Sequence, residues 1–383
     1  MRFSKEIQDS PTLKLGEVAR KRQQEGKPVI SLALGEPDFK TPKYILDATS
    51  KALYDGLTTY STPQGILPLR QYIAKDYNNT YGSNYGASEV IIMPGAKAAI
   101  FASLASLLDV NDEVIILSPF YVSYPPMIKL AETTAKIIDI PLNSDFSLPI
   151  DKIKASITKN TKVLILNYPN NPTGKLLTTN EIEAVLEIIK ENNIYLLSDE
   201  IYEKQVFGNN PFVSFSSFNE IKDKTLIING YSKTFAMTGF RIGFILGSKE
   251  LIKKINLLNQ NINTNTNTFV QYGCLSIYEN NNTHLETYNK ELLERSTYLY
   301  NELSKTMYFK PIKPESTFYM FVDITNTKLD STTLSNMLIE QYGLVVTPGI
   351  AFGKNFDNYI RLSFATAKDN LIKAVEIFKA IKL

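Results

Sequence analysis

Tryptophan is absent from the chain, and there is one cysteine, Cys274, and one histidine, His284. A single cysteine allows no intrachain disulfide, and a Cys/His zinc cluster is excluded by count, so no metal site is expected. Histidine catalysis has one candidate. His284 lies in the polar stretch Asn281-Asn282-Thr283-His284-Leu285-Glu286, which reads as a loop or helix start with a solvated side chain. Cys274 falls in Gln271-Tyr272-Gly273-Cys274-Leu275, a predicted helix, where a small buried apolar residue is expected rather than a thiol nucleophile. Excess charge of either sign is also missing: 41 Lys and Arg against 39 Asp and Glu leave a formal +2, which gives no case for nucleic acid or a membrane as partner. No apolar run reaches the ~18 residues of a membrane helix. The start, Met1-Arg2-Phe3-Ser4-Lys5-Glu6, has no signal-peptide core, so a soluble cytoplasmic protein is the expectation.

What the chain does have is length and rhythm. Its 383 residues and 44% hydrophobic content suffice for a large core and suggest two domains. From about residue 88 to 250, short β-branched runs alternate with longer amphipathic ones, the signature of an α/β fold. Strands are predicted at Val90 to Met93, Glu113 to Leu117, Val163 to Asn167, Ile194 to Leu197, Thr225 to Asn229 and Ile242 to Leu246. A helix is predicted from Ala96 to Leu108, and Thr178-Thr179-Asn180-Glu181 is a capping box opening another to about Asn192. These strands form a largely parallel sheet, whose ligands belong in the crevice at the strands' carboxyl ends.

Chemistry concentrates in Gly230-Tyr231-Ser232-Lys233-Thr234-Phe235-Ala236-Met237-Thr238-Gly239-Phe240-Arg241-Ile242-Gly243. Burial or a neighbouring cation lowers a lysine pKa, so Lys233 is a candidate amine for condensation with a carbonyl. Arg241 presents a permanent fork of donors suited to a phosphate or carboxylate. A carbonyl-bearing phosphorylated cofactor satisfies both ends. Asn167-Tyr168-Pro169-Asn170-Asn171-Pro172-Thr173-Gly174 follows one predicted strand and Ser198-Asp199-Glu200-Ile201-Tyr202 the next, so both open onto the crevice of Lys233. Each alone is ordinary turn chemistry.

Further motifs are Leu34-Gly35-Glu36-Pro37-Asp38-Phe39, Tyr60-Ser61-Thr62-Pro63-Gln64-Gly65, Pro94-Gly95-Ala96-Lys97, Ser118-Pro119-Phe120-Tyr121 and Tyr359-Ile360-Arg361-Leu362-Ser363. In this order, over nearly the whole chain, the set resembles the fold-type-I enzymes that use pyridoxal 5'-phosphate, specifically class I aminotransferases of the prokaryotic aspartate aminotransferase branch. The resemblance implies a large cofactor-binding α/β domain over residues 45–285, with a mostly parallel sheet flanked by helices. A smaller α+β domain would combine residues 1–44 and 286–383, with strands at Phe318 to Asp323, Leu344 to Thr347 and Tyr359 to Phe364. Helices are expected there near Ser331 to Tyr342 and from Asp369.

It also implies roles. Lys233 would carry the cofactor as a Schiff base and then act as general base. Asp199 would pair with the pyridinium nitrogen, Asn171 and Tyr202 would bond the phenolic oxygen, and Tyr121 would stack on the ring. Gly95, Ala96 and Lys97 at a helix start, with Arg241, would hold the phosphate. Tyr60 would reach the phosphate of a neighbouring subunit, making the active site the property of a homodimer. Gly35, Asn171 and Arg361 would hold the substrate, Arg361 gripping its α-carboxylate. Lys97 also matches a position where members of the branch pair a lysine with acidic side chains. Gly230 and Tyr121 depart from the serine and tryptophan that many relatives carry. The Asn/Thr-rich run Asn259 to Thr268 is expected to be a structured polar junction. The activity implied is transfer of the amino group of an L-amino acid, aspartate foremost, to a 2-oxo acid such as 2-oxoglutarate by a ping-pong route. Aromatic or prephenate-type aminotransferase chemistry, or C–S bond lysis, are the alternatives.

Overall fold

The computed structural model describes residues 11–208 and 210–382. Elements run α1 (Pro11–Gln24), β1 (Ile30–Ser31), α2 (Lys43–Tyr54), α3 (Leu67–Tyr81), β2 (Val90–Met93), α4 (Ala96–Leu107), β3 (Glu113–Ser118), α5 (Tyr124–Ala131) and β4 (Lys136–Pro141). Next come α6 (Ile150–Ser156), β5 (Thr161–Asn167), α7 (Thr179–Glu191), β6 (Tyr195–Asp199), β7 (Thr225–Gly230), β8 (Gly243–Leu246), α8 (Lys249–Ile262), α9 (Thr268–Glu279) and α10 (His284–Ser304). The chain ends in β9 (Lys310–Pro311), β10 (Tyr319–Asp323), α11 (Ser331–Tyr342), β11 (Leu344–Val345), β12 (Thr347–Pro348), β13 (Tyr359–Ser363) and α12 (Lys368–Ala380).

The central sheet has seven strands in the order β2-β8-β7-β6-β5-β3-β4. Only β8 runs against its neighbours, β2 and β7. Successive residues of its strands face opposite sides, as the pleat demands. Ile115 and Ile227 join one apolar cluster while Val114, Ile116, Leu226 and Ile228 join another on the opposite face. Burial on both faces explains why these strands read as unbroken apolar runs. Each fully buried Ile or Leu contributes about 1.5–3 kcal/mol, so a charge at Ile227 would be expected to break the sheet rather than bend it.

The capping box holds as anticipated: Glu181 N donates to Thr178 Oγ1, and Thr178 N donates to Glu181 Oε2 at 2.8 Å. A four-stranded sheet, β12-β13-β10-β9, is built from the C-terminal part. The N-terminal segment docks on the same part of the chain: β1 pairs with β11 in a separate two-stranded sheet, and Ser363 N of β13 donates to Leu32 O at 2.6 Å. One expected strand, Leu344 to Thr347, is two short ones. β11 pairs with β1 and β12 with β13, so the chain changes sheets at Val346.

His284 corrects the sequence reading. It opens α10 half-buried, with its ring 5.3 Å from Phe235 and 6.4 Å from Tyr44. Burial lowers its pKa, and the aromatic neighbours contributed by distant segments explain why a local polar stretch misled.

Candidate active site

Strand direction assembles the site. The parallel strands deliver Lys97, Tyr121, Asn171, Tyr202 and Lys233 just beyond the carboxyl ends of β2, β3, β5, β6 and β7. Because β8 runs the other way, its beginning lies at that same rim, and this brings Arg241 there.

Two glycines make the close approach possible. Gly95 has φ +92, and a Cβ on it would lie 2.7 Å from Arg241 Nη2, so the guanidinium packs directly against the backbone at the start of α4, and a fixed cation stands beside the helix's free N–H groups. Gly230 pairs with Gly243, and a Cβ on Gly230 would lie 2.9 Å from Gly243 Cα. A serine therefore does not fit at position 230 without moving β8, which accounts for that departure.

Lys233 Nζ donates to Gly35 O at 2.6 Å. Burial pulls its pKa down to about 8, with Arg361 and Arg241 pushing the same way and Glu36 and Asp199 opposing. Asp199 is buried at the end of β6, where burial raises it to about 6 against the hydrogen bonds that favour its ionised form. The strongest of these is from Tyr124, whose hydroxyl donates to Oδ2 at 2.7 Å. Arg361 is buried on β13. It donates to Asn171 Oδ1 at 3.1 Å, Ala33 O at 2.8 Å and Thr347 Oγ1 at 3.2 Å, while its Nε has no partner among the described residues. Lys97 Nζ lies 5.8 Å from the centre of the Tyr121 ring, at an exposed position beside the crevice.

The loop bearing Gly35 is anchored from behind. Arg295 Nη1 reaches both carboxylate oxygens of Asp38 at 2.8 and 2.9 Å, and Phe39 packs edge-on against Tyr288 at 3.9 Å. Tyr60 makes no part of this cluster. It is 84% exposed on the loop between α2 and α3. The Asn/Thr-rich run is ordered against that loop: Asn259 bonds Pro63 O at 2.9 Å and Thr268 bonds Thr59 O at 2.7 Å.

Sequence reasoning missed Tyr124, Tyr319 and Phe352. Tyr124 and Tyr319 each bond a candidate residue, and Tyr319 and Phe352 lie against the Arg361 guanidinium at 4.2 and 5.2 Å. A spacing of one residue in β10 could have flagged Tyr319, since it shares a sheet face with Phe321, the partner of Arg361. Glu200, beside Asp199, turns away from the crevice. It accepts from Ser198, Ser214 and the Phe215 N–H, and burial raises it to about 8.

The sequence profile of aminotransferase class I and II matches residues 27–378. The chain belongs to that family. It is 38% identical to a probable aspartate aminotransferase of Methanocaldococcus jannaschii, over 92% of this chain and 93% of the relative. An aromatic-amino-acid aminotransferase of Thermococcus litoralis is 35% identical over 91% and 90% of the two chains. The aspartate aminotransferase of Thermus thermophilus with maleate superposes with a TM-score of 0.93 at 32% identity, covering 99% of this chain and 98% of that one. The fold is thus that of the fold-type-I aminotransferases, and the protein is an aminotransferase. No helix among the described residues is long and apolar enough to cross a membrane.

Proposed function

We propose that the chain is a pyridoxal 5'-phosphate-dependent aspartate aminotransferase, passing the amino group of aspartate to a 2-oxo acid such as 2-oxoglutarate. The observation that carries this reading is the meeting of an amine near pKa 8, a buried carboxylate and a buried guanidinium from Lys233, Asp199 and Arg361 around one crevice. The residues fit the cofactor: Gly95 lets Arg241 lie directly against the start of α4 where a side chain would collide, and buried Asp199 has no cation bonded to it among the described residues.

When bound, the cofactor supplies a carbonyl carbon open to amines and a protonated ring that takes up electrons from a breaking Cα–H bond. Backbone N–H groups at Gly95, Ala96 and Lys97, with Arg241, would hold its phosphate. Asp199 would hold the ring nitrogen, and a cation there would return its pKa below 6 and keep it ionised. Tyr202 and Asn171 would bond the phenolic oxygen, and Tyr121 would cover the ring.

Arg361 takes the substrate α-carboxylate as a bidentate fork, its plane set by Asn171, Ala33 and Thr347, and Gly35 lines the same end. Lys233 Nζ, poised near neutral pH, moves the Cα proton, which typically contributes about 10²- to 10⁴-fold in rate. Lys97 supplies a cation for a side-chain carboxylate. The bare Tyr60, with Tyr54 92% and Leu257 62% exposed, supports a homodimer in which Tyr60 serves the partner's site. We place the large domain at residues 45–285 and the small one at 1–44 and 286–383, in a cytoplasmic protein. The seven-stranded sheet of the middle of the chain and the separate four-stranded sheet of its C-terminal part support that division.

The resemblance to the Thermococcus litoralis enzyme keeps aromatic amino acids as a second reading. The test is spectroscopic. Protein mixed with pyridoxal 5'-phosphate should show a visible band, and borohydride should fix the cofactor on the peptide holding Lys233. Aspartate should then convert the band to the pyridoxamine form. Labelling elsewhere sinks the lysine assignment, and conversion by tyrosine alone moves the substrate to the aromatic class.

A further inference from the structure

Among the candidates beyond the residues already placed, Tyr319 is joined to the site by the most independent contacts. It is fully buried, and its hydroxyl lies 3.0 Å from the Tyr202 hydroxyl. Its ring lies 4.2 Å from the guanidinium carbon of Arg361. A Cβ on Gly35 would come within 2.7 Å of its hydroxyl oxygen, so residue 35 is small at the one point where this phenol approaches the loop. The sheet explains the placement. Phe321 stands opposite Arg361 in the β10–β13 ladder, so Tyr319, two residues earlier on the same face, takes the diagonal position.

We propose that Tyr319 is a positioning residue that links the substrate end of the site to the cofactor end: its ring fixes the plane of Arg361, and its hydroxyl orients Tyr202. The proposal rests on the functional reading above. A buried guanidinium that must meet a carboxylate edge-on needs its plane held. Asn171, Ala33 and Thr347 bond the edges of Arg361, and the Tyr319 ring supports its face. The Tyr202 and Tyr319 hydroxyls share one hydrogen bond at 3.0 Å, which fixes the Tyr202 hydroxyl at the crevice, and a chain of hydroxyls polarises along its length. The backbone carries the link further. Tyr319 N donates to Thr317 Oγ1 at 3.2 Å, Thr317 N donates to Gln205 O at 2.7 Å, and Ser316 Oγ donates to Gly174 O at 2.9 Å. The strand bearing Tyr319 is thereby tied to the segments that follow Asn171 and Tyr202.

Two substitutions separate the ring from the hydroxyl. Tyr319→Phe keeps the ring, so KM for aspartate should stay within about twofold while kcat falls about three- to tenfold, the effect of one lost hydrogen bond. Tyr319→Leu removes the ring as well. Its KM should rise about five- to thirtyfold. The dissociation constant of maleate, a non-reacting dicarboxylate, should rise by the same factor by calorimetry on the cofactor-loaded enzyme. A structural role alone would lower melting temperature in both variants without this split between kcat and KM. The proposal is overturned if Tyr319→Phe matches the wild type in kcat, or if Tyr319→Leu binds maleate no more weakly than Tyr319→Phe. Should Tyr319→Leu fail to fold, the kcat of Tyr319→Phe still decides. Failure of the functional reading is distinct: the wild type would then give no borohydride-fixed cofactor at Lys233.

Discussion

Replacing Lys233 by Met should make the cofactor-free protein more stable near neutral pH, even though it removes the reactive amine. Met keeps the unbranched length and drops the charge. Burial lowers the lysine pKa from 10.5 to about 8, so the unfolded chain holds a proton that the folded one releases more readily. The sign follows directly: the cost to the folded state is fully present below pH 8, fades between pH 8 and 10.5, and is gone above. At pH 7 the shift amounts to about 3 kcal/mol, and at pH 9.5 to about 1.4 kcal/mol, both upper bounds because the amine keeps some hydration. The bond from Nζ to Gly35 O offsets about 1 kcal/mol of that. Lys233→Met should therefore exceed the wild type by about 2 kcal/mol at pH 7, and that margin should shrink by about the same amount at pH 9.5. Urea unfolding of both proteins, cofactor-free and at one protein concentration, reads the difference. A variant no more stable than wild type at pH 7, or a gap that stays constant with pH, would refute the idea that burial is what depresses this amine.

Other perturbations address the remaining groups. Asp199→Asn should lower kcat by about 10²-fold or more while cofactor binding, followed by fluorescence, weakens far less. Tyr124→Phe should raise the Asp199 pKa further by removing its donor at 2.7 Å, with kcat falling about tenfold and most steeply at low pH. Lys97→Ala should raise KM for aspartate about tenfold and leave KM for tyrosine or alanine near the wild-type value in steady-state assays. Gly95→Ala places a methyl 2.7 Å from Arg241 Nη2 at a φ of +92, so cofactor affinity should drop about tenfold in equilibrium titration. The far-UV circular dichroism should stay unchanged.

Much of this molecule was legible in its residues taken in order. The central strands declared themselves as β-branched runs because both of their faces are buried, and α7 because its capping box is a local contract between Thr178 and Glu181. Lys233, Asp199, Asn171 and Arg241 stood out because each sits at or just beyond a strand end, in a short motif of polar residues, proline or glycine that interrupts the apolar rhythm. Other features depended on partners far along the chain. Tyr124, Tyr319 and Phe352 carry no local signal, and only packing turns the first onto Asp199 and the other two onto Arg361. His284 looked solvated until Tyr44 and Phe235 closed around it, and Leu344 to Thr347 looked like one strand until two sheets claimed its halves. The sequence by itself determined most of the central strands, their order and the residues with reactive groups, since these follow from periodicity and turn chemistry. The direction of β8, the plane of Arg361 and the depressed pKa of Lys233 were decided by tertiary structure, because each depends on burial and on neighbours that no local stretch contains.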